Sequence, residues 1–431
     1  MSIRRLLLQH PRIVIALIVV AAVGLRLTVR LVRGEASFWE GGYDFYHLYV
    51  TNLLDGDGLC LDEGHWPGSL PGLGPRCAFH PPVYPYYLAL AMFLGAENEF
   101  LSIAVMQSLV GAGTVFCVFL VGREMFDARA GMLASLFAAV YPYYVWHDTA
   151  LQETSVLTFM TVLSVVLFYR AVHKSGVVST AMVGLSLGLA VLTKASLASF
   201  AFLLVASMAL FVPGALRTRL HQTSVLLLAF VVTLSPWLVR NFNLLGSPVL
   251  TSAAGKQLWL INNRYSFRHY PARNIDLDFS EAQANLVVST EWSQLEALAG
   301  DELSQQRWFL KQGLDFILQN PFLTAQRAVV KVVAAFSWEF SPAKEGFFQA
   351  AYFLSYFPIF TLGIIGALLS RRLWREQLPV YLLFVGFVWV TVVFHAHTSH
   401  RTYLDVYLMI FAAYAIMIGR AKWKAALIRD V

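Results

Sequence analysis

The sequence predicts an all-α polytopic membrane protein, and three observations support this fold class. The chain of 431 residues is 58% hydrophobic and only 13% charged, with a mean hydropathy of +0.60. A soluble protein carries about 25% charged residues. Several apolar runs approach the roughly 20 residues that a helix needs to cross a bilayer. These runs are continuous, whereas the strands of a membrane barrel alternate apolar and polar residues.

The first predicted span covers residues 11–31 and follows an arginine-containing segment. Basic residues mark the cytoplasmic side, so we expect the N-terminus in the cytoplasm. No convincing cleavage site follows, which predicts a retained span. Arg26 and Arg30 lie one helical turn apart on one face of this span. Charges at this depth indicate either an anionic partner or a snorkelling helix end.

Further apolar runs predict about 10–11 transmembrane helices in total, with both termini in the cytoplasm. The uncertain segment is 83–96, which is short for a span and could instead be re-entrant or interfacial. The remaining predicted spans are 101–121, 131–145, 154–172, 177–192, 197–212, 224–239, 348–369, 378–394 and 402–418.

Three regions follow from this pattern. Residues 1–239 form an N-terminal transmembrane module with a first extracytoplasmic loop, 33–83. Residues 240–325 form an extracytoplasmic lobe, because their second half has helical periodicity with polar faces. Residues 326–431 hold an interfacial helix and the C-terminal transmembrane helices.

The stretch 39–85 is polar, rich in Gly and Pro, and directly follows the first span. Such a long loop at this position indicates a functional site. It contains Cys60 and Cys77. If the loop is extracytoplasmic, the two cysteines form either a disulfide or two unlinked thiols. Cys117 lies inside an apolar span, where we expect it only to pack.

The predicted topology brings many ionisable side chains to the outer face. A carboxylate there can accept the proton of an attacking hydroxyl, and a cation can hold a phosphate and stabilise its growing charge. The set therefore suits a reaction with an anionic, lipid-borne leaving group. Its members are Asp44, His47, Asp55, Asp57, His80, His147, Asp148, Glu153, Lys194, Arg240, His395, His397, His400 and Arg401.

Purely structural interpretations stand beside these functional ones. His47 either acts directly or only orients Asp44. Glu153 opens an apolar span, where the helix dipole favours a carboxylate. Lys194 lies in a short hairpin between two spans, and snorkelling would also explain it.

Metal binding has weaker support in the sequence. The pair Asp55 and Asp57 flanks a glycine, as in a turn. The spacing of His395 and His397 occurs in metal sites, but no carboxylate is paired with them.

Eight motifs occur in order along the chain, at 43–58, 80–90, 151–159, 184–194, 235–242, 255–263, 319–322 and 400–407. They include Y-D-F-Y-H-L-Y, H-P-P-V-Y-P and H-R-T-Y-L-D. In these motifs the sequence resembles the GT-C fold membrane glycosyltransferases. It is most similar to bacterial relatives of dolichyl-phosphate-mannose protein mannosyltransferases and of the lipid A aminoarabinose transferase. The resemblance implies a GT-C type fold with a first outer loop and a small outer lobe.

The resemblance also implies an activity. A sugar would pass from a polyprenyl-phosphate donor to an acceptor on a glycan, lipid or protein, by inverting direct displacement. Asp44 would be the catalytic base, with Glu153 or Asp148 as the second acidic residue. Neither the sugar nor the acceptor follows from the motifs.

The implied supporting residues lie on the same face. The donor phosphate would be bound by Lys194, Arg240, Arg401 or Arg26, with support from His47, His80 and Tyr84. Many relatives have arginine where this chain has Lys194, which offers no bidentate fork. No cofactor is required by the pattern, and a divalent cation at Asp44 with Glu153 or Asp148 is left open.

The implied location is the bacterial cytoplasmic (inner) membrane, with membrane lipids as neighbours and the active site on the extracytoplasmic face. The net charge of +6 is explained by basic inner loops, and no nucleic-acid partner is expected.

Two other functions compete. A transporter or lipid-linked sugar flippase would show polar residues at the bilayer midplane, whereas here they gather at one face. A polysaccharide ligase or polymerase would depend on a late outer loop such as 240–321. Mutations in 39–85 should inactivate a GT-C enzyme, whereas mutations in 240–321 should be decisive for the ligase.

Overall fold

The computed structural model describes residues 10–39, 44–62, 64, 69–95, 98–174, 176–268, 275–339, 346–394 and 398–429. Over these residues the regular secondary structure is helical, apart from one antiparallel bridge between Leu61 and Arg76. Helices α1 to α19 are Pro11–Arg33, Ala36–Trp39, Phe45–Asp55, Val83–Gly95, Glu99–Met125, Ala128–Val140, Pro142–Asp148, Thr154–Lys174, Val177–Thr193, Ala198–Leu210, Leu216–Leu245, Ala254–Ile261, Ile275–Val287, Trp292–Glu296, Glu302–Gln319, Pro321–Ala335, Phe347–Leu369, Leu378–Val393 and Thr402–Arg429. Single 3-10 turns lie at Ala195–Leu197, Arg371–Leu373 and Thr398–Arg401.

Two groups of apolar helices build the bundle. Among the described residues, 6 helices are long and apolar enough to cross a membrane, namely Pro11–Arg33, Glu99–Met125, Thr154–Lys174, Leu216–Leu245, Phe347–Leu369 and Thr398–Ala421. Shorter apolar helices accompany them at Val83–Gly95, Ala128–Val140, Val177–Thr193, Ala195–Phe211 and Leu378–Val393. The predicted class, an all-α polytopic membrane protein, is confirmed.

Several helix boundaries differ from the sequence prediction, and two of these differences have a physical reason in the local sequence. The predicted span 131–145 is divided, because α6 ends at Val140 and α7 begins at Pro142. Proline has no backbone N–H to continue a helix and is favoured at a first helical position. Helix α11 is longer than the predicted span 224–239, since it continues through Pro236 to Leu245. The predicted span ends before Arg240 because the apolar run ends there. A helix can continue beyond its apolar part through polar residues.

Glycines allow the main helices of the bundle to pack closely. A Cβ on Gly122 of α5 would lie 2.8 Å from the Cα of Gly131 in α6. A Cβ on Gly184 of α9 would lie 2.3 Å from the carbonyl oxygen of Leu226 in α11. Small residues at helix crossings are typical of membrane proteins, where backbone approach strengthens van der Waals packing.

The first loop and the later lobe meet at one end of the bundle, which we call the loop end. Leu70 and Leu73 of the first loop pack with Trp259 and Phe309 of the lobe in a small core separate from that of the bundle. Glu302 joins the same two regions through polar contacts. Its carboxylate accepts hydrogen bonds from the backbone N–H groups of Cys77, at 2.9 Å, and Ala78, at 3.3 Å. The first loop and the lobe therefore form one structural unit.

Candidate functional site

Three distant segments meet at Glu153, which lies just before α8. One carboxylate oxygen of Glu153 accepts a hydrogen bond from the Tyr46 hydroxyl at 3.0 Å. The other oxygen accepts from the Lys194 ammonium, also at 3.0 Å. Tyr46 lies in α3 and Lys194 directly after α9. We call this group the Glu153 site.

The Glu153 site is partly open. The side chain of Glu153 is 16% exposed and that of Lys194 is 29% exposed. Burial raises the pKa of the Glu153 carboxyl, but the charge and hydrogen bond of Lys194 outweigh burial and lower this pKa to about 2. The carboxylate is thus ionised at neutral pH, and its charge is balanced by a cation that still reaches the surface.

Aromatic rings line one side of the Glu153 site. His80 stacks on Phe45 with 5.0 Å between ring centroids, and Tyr84 stands edge-on to Tyr46 at 4.7 Å. The Nε2 atom of His80 is buried and finds no hydrogen-bond partner among the described residues. Burial lowers the pKa of His80 to about 4 although Glu153 opposes the shift. His80 is therefore neutral at physiological pH.

Asp44 precedes Tyr46, a residue of this site, by two positions in the chain. It directly precedes α3, it is exposed, and its side chain makes no capping hydrogen bond to that helix. Because consecutive Cα atoms are 3.8 Å apart, its Cα lies within about 7.6 Å of that of Tyr46. The chain thus places a second, exposed carboxylate two residues before Tyr46, whose hydroxyl contacts Glu153.

His47 has partners other than Asp44. Its ring lies 4.5 Å from the ring of Trp39, and its Nε2 is 3.5 Å from a carboxylate oxygen of Glu99. These contacts tie α3 to the start of α5. They do not bring the His47 imidazole to the Glu153 site.

Asp148 and Arg26 form a buried ion pair away from the Glu153–Lys194 pair. The Arg26 Nε lies 2.6 Å from an Asp148 carboxylate oxygen, and the side chains are 1% and 9% exposed. A Cβ at Gly111 would lie 2.5 Å from the Arg26 Nε, so the glycine leaves room for the pair. Burial raises the pKa of Asp148, with Arg26 opposing the shift. Arg26 therefore has an anionic partner inside the protein.

Two more arginines of α1 hold the segment that leads to Glu153. Arg30 donates to the carbonyl oxygen of Thr149 at 2.5 Å, and Arg33 donates to the Thr149 hydroxyl at 3.1 Å. The Arg33 guanidinium also lies 3.8 Å from the centroid of the Trp146 ring. The arginines at the end of the first span thus position the chain just before Glu153.

Arg240 supports the first loop. Its guanidinium donates to the carbonyl oxygens of Cys77, at 2.8 Å, and Leu59, at 3.2 Å. Cys60 and Cys77 are joined in a disulfide. Arg240 and the disulfide therefore fix the same two stretches of loop backbone, and the guanidinium is already engaged by carbonyl groups.

Arg401 lies inside the bundle. Its Nε is 3.1 Å from an Asp405 carboxylate oxygen in a pair that is fully buried. A guanidinium nitrogen donates to the carbonyl oxygen of Ala335 at 2.6 Å, another contacts the Tyr352 hydroxyl, and the group lies 3.7 Å from the Tyr356 ring centroid. These contacts link α16, α17 and α19.

Metal ligands do not cluster in the described part of the chain, where no group of three or more His, Cys, Asp or Glu side chains could hold an ion. His395 and His397 lie outside the described residues. A divalent cation between Asp44 and Glu153 stays a hypothesis.

Sequence reasoning missed two residues of this region. Tyr46 stands within the quoted motif Y-D-F-Y, two positions after Asp44, and that spacing was the available signal. Glu302 is 5% exposed and lies in a helix whose pattern predicts a solvated face, so the sequence held no signal for it.

Known proteins resemble this chain in part of its sequence and in most of its fold. Residues 79–239 match the family model described as dolichyl-phosphate-mannose-protein mannosyltransferase. No curated protein matches the sequence significantly. The archaeal oligosaccharyltransferase AglB from Archaeoglobus fulgidus, in complex with an inhibitory peptide and a dolichol-phosphate, is 14% identical with a TM-score of 0.58. The similarity covers 98% of this chain and 52% of that one.

Two further structures are similar. The apo form of the A. fulgidus oligosaccharyltransferase is 15% identical with a TM-score of 0.60, covering 96% of this chain and 52% of that one. ArnT from Cupriavidus metallidurans bound to undecaprenyl phosphate is 16% identical over 93% of this chain and 77% of that one. Its TM-score is 0.40. The chain spans about half the length of the oligosaccharyltransferase.

The fold is therefore that of the GT-C membrane glycosyltransferases, and the resemblance drawn from the sequence motifs is confirmed. Within this class, residues 79–239 are similar to the dolichyl-phosphate-mannose-protein mannosyltransferase family. The matched segment contains Glu153 and Lys194, whereas Asp44 precedes it.

Proposed function

We propose that the protein is a glycosyltransferase that moves a sugar from a polyprenyl-phosphate donor to an acceptor hydroxyl or similar group. The reaction would take place at the extracytoplasmic face of a bacterial cytoplasmic membrane. The observation that carries this proposal is the meeting of Tyr46, Glu153 and Lys194, in which Tyr46 follows the exposed Asp44 by two residues. The dolichol-phosphate bound to AglB supports a lipid phosphate as the donor group.

Asp44 is the base in this proposal. As the acceptor oxygen attacks the anomeric carbon, its proton passes to the Asp44 carboxylate. The bond from that carbon to the phosphate oxygen breaks on the opposite side, and the electron pair stays on the phosphate. One displacement of this kind inverts the anomeric configuration and needs no covalent intermediate. Its transition state resembles that of glycoside hydrolysis, with the acceptor in place of water.

Lys194 is the cation best suited to the departing phosphate. An ammonium has three N–H donors, and Glu153 receives one of them at 3.0 Å. The side chain is 29% exposed, whereas Arg26 and Arg401 are 1% and 0% exposed. Arg240 is half-buried and bonded to loop carbonyls. We therefore assign the phosphate contact to Lys194 and supporting roles to the three arginines.

The variant Asp44→Asn tests the assignment of the base. With a polyprenyl-phosphate sugar as donor, we expect its transfer rate to fall by about 10² to 10⁴-fold, because a general base contributes that much. Asp55→Asn is the matched control, since Asp55 is an exposed carboxylate at the far end of the same helix. Size-exclusion profiles in detergent should be unchanged for both variants.

The donor panel decides the proposed class. Wild-type protein incubated with several polyprenyl-phosphate sugars should release the lipid phosphate and yield a glycosylated acceptor. Transport of the lipid-linked sugar across a vesicle bilayer without any transfer would instead support a flippase. Wild-type rates for Asp44→Asn would remove Asp44 from the mechanism.

A further inference from the structure

The contacts of Glu153 carry an inference that rests on the proposed function. We propose that a donor phosphate held by Lys194 makes Glu153 take up a proton, and that the protonated carboxyl then donates a hydrogen bond to the departing phosphate. Glu153 thereby couples donor binding to the chemistry, while Asp44 remains the base.

The geometry makes Lys194 a shared cation. Its ammonium lies 3.0 Å from one Glu153 oxygen, so a phosphate bonded to the remaining N–H groups would stand beside a carboxylate. Two anions would then depend on one positive charge. A like charge this close disfavours the ionised form of a carboxyl. Glu153 is also largely buried, which limits the screening of that repulsion by water.

Among the residues that the structure describes, Lys194 is the cation bonded to Glu153 and the other groups around it are neutral. The groups that face it from the packed elements are the Tyr46 hydroxyl, His80, Tyr84 and His147. Burial lowers the pKa of both histidines to about 4, so neither is charged at neutral pH. The Lys194 interaction holds the pKa of Glu153 at about 2 in spite of burial. Sharing that interaction with a phosphate removes the main reason for this low value.

The proton has a defined use in the reaction. The donor phosphodiester carries one negative charge, and the lipid phosphate that leaves carries up to two. The carbon–oxygen bond breaks with its electron pair on the phosphate, and the acceptor proton goes to Asp44. The proton on Glu153 comes from water before this step. It faces the phosphate as a hydrogen-bond donor when charge accumulates there.

Titration calorimetry can count this proton. The probe is a polyprenyl methyl phosphodiester, which has no transferable sugar and does not titrate between about pH 5 and pH 8. Binding is measured in two buffers that differ in ionisation enthalpy. We expect wild-type protein to take up close to one proton per probe at the acid end of this range. Affinity should therefore rise as pH falls, by up to tenfold per pH unit.

Two variants locate the proton. Glu153→Gln should bind the probe without proton uptake. Glu99→Gln is the control, since Glu99 is a half-exposed carboxylate that lies 3.5 Å from His47, and it should behave as wild type. Difference infrared spectroscopy of wild-type protein should show a new protonated-carboxyl band when the probe binds. This measurement stands even if Glu153→Gln does not fold.

The outcomes separate the two proposals. Binding by wild-type protein with no proton uptake over the whole range, and no new carboxyl band, would overturn the inference alone. Uptake that persists in Glu153→Gln would place the proton elsewhere, on His80 or His147, and would also overturn it. If wild-type protein does not bind the phosphodiester at all, the lipid-phosphate donor itself is refuted.

Discussion

Arg26→Met should destabilise the fold strongly, because Arg26 pairs with a buried carboxylate and, in our proposal, is not a ligand of the donor phosphate. The side chains of Arg26 and Asp148 are buried, and the Arg26 Nε donates to Asp148 at 2.6 Å. The guanidinium also donates to the carbonyl oxygen of Ala139 at 3.1 Å. Removal of the arginine leaves a buried carboxylate without the cation that the structure places beside it.

The cost of this change follows from burial. Breaking a buried pair by removing one partner costs about 3–5 kcal/mol, because the other charge stays desolvated. Replacing both partners with uncharged groups of similar volume is often neutral or stabilising. We therefore expect Arg26→Met to lower the free energy of unfolding by about 4 kcal/mol. The double variant Arg26→Met/Asp148→Leu should recover most of that loss. It does not restore the hydrogen bond from Arg26 to the Ala139 carbonyl oxygen.

Reversible unfolding in mixed detergent micelles, followed by tryptophan fluorescence, measures the free energy of unfolding of the single and the double variant. Lipid-phosphate binding is then measured on the folded fraction of each variant. If Arg26 only supports the fold, the double variant binds polyprenyl phosphate as wild type does. A double variant that is as stable as wild type but binds no lipid phosphate would refute the structural role. It would make Arg26 a direct phosphate ligand.

Two further predictions concern the first loop. Cys60→Ser with Cys77→Ser, or reduction of the wild type, should lower the free energy of unfolding by about 3 kcal/mol, the value for a loop of this size. The thermal midpoint in detergent should therefore fall. An unchanged midpoint would show that Arg240 holds the loop alone. Tyr46→Phe keeps the ring and removes the 3.0 Å hydrogen bond to Glu153. A bond to a charged group is worth about 1.5–3 kcal/mol, so kcat/KM for sugar transfer should fall roughly 10- to 10²-fold. Tyr49→Phe, in the same helix, loses a 3.5 Å contact to the carbonyl oxygen of Arg76 and an interaction with the backbone of His80. Neither contact involves Glu153, so this variant should retain activity; equal losses in the two variants would contradict the role of Tyr46.

The fold class and the place of the site could be predicted because they depend on local properties. Span length and hydropathy define the bundle, and topology then assigns loop residues to one end. This reasoning placed Glu153, Lys194 and the Asp44 loop together, and in the structure Tyr46 links them. The order of the motifs also indicated the GT-C fold. These inferences need no knowledge of which helices are neighbours.

The partners of the arginines could not be predicted in the same way. Arg26 meets Asp148 only because α1 packs beside α5 and α7, and Arg401 meets Tyr352 only because α19 packs against α17. The sequence shows a cation near a membrane face, but not whether a buried acid or carbonyl already satisfies it. A cation that the sequence assigns to a ligand can therefore be bonded to an acid or a carbonyl group of the protein instead. The distinction needs tertiary structure.

Contacts at the loop end change how the competing functions can be separated. Loss of activity after mutation in 240–321 is expected for a ligase, but Glu302 binds the backbone of Cys77 and Ala78. That backbone leads directly to His80 at the Glu153 site. A buried lobe mutation would therefore disturb the first loop in any mechanism. Only exposed lobe residues such as Glu296 can discriminate, because their side chains have no part in holding the loop. Loss of transfer in Glu296→Ala, with the disulfide and the stability intact, would favour a site in the lobe.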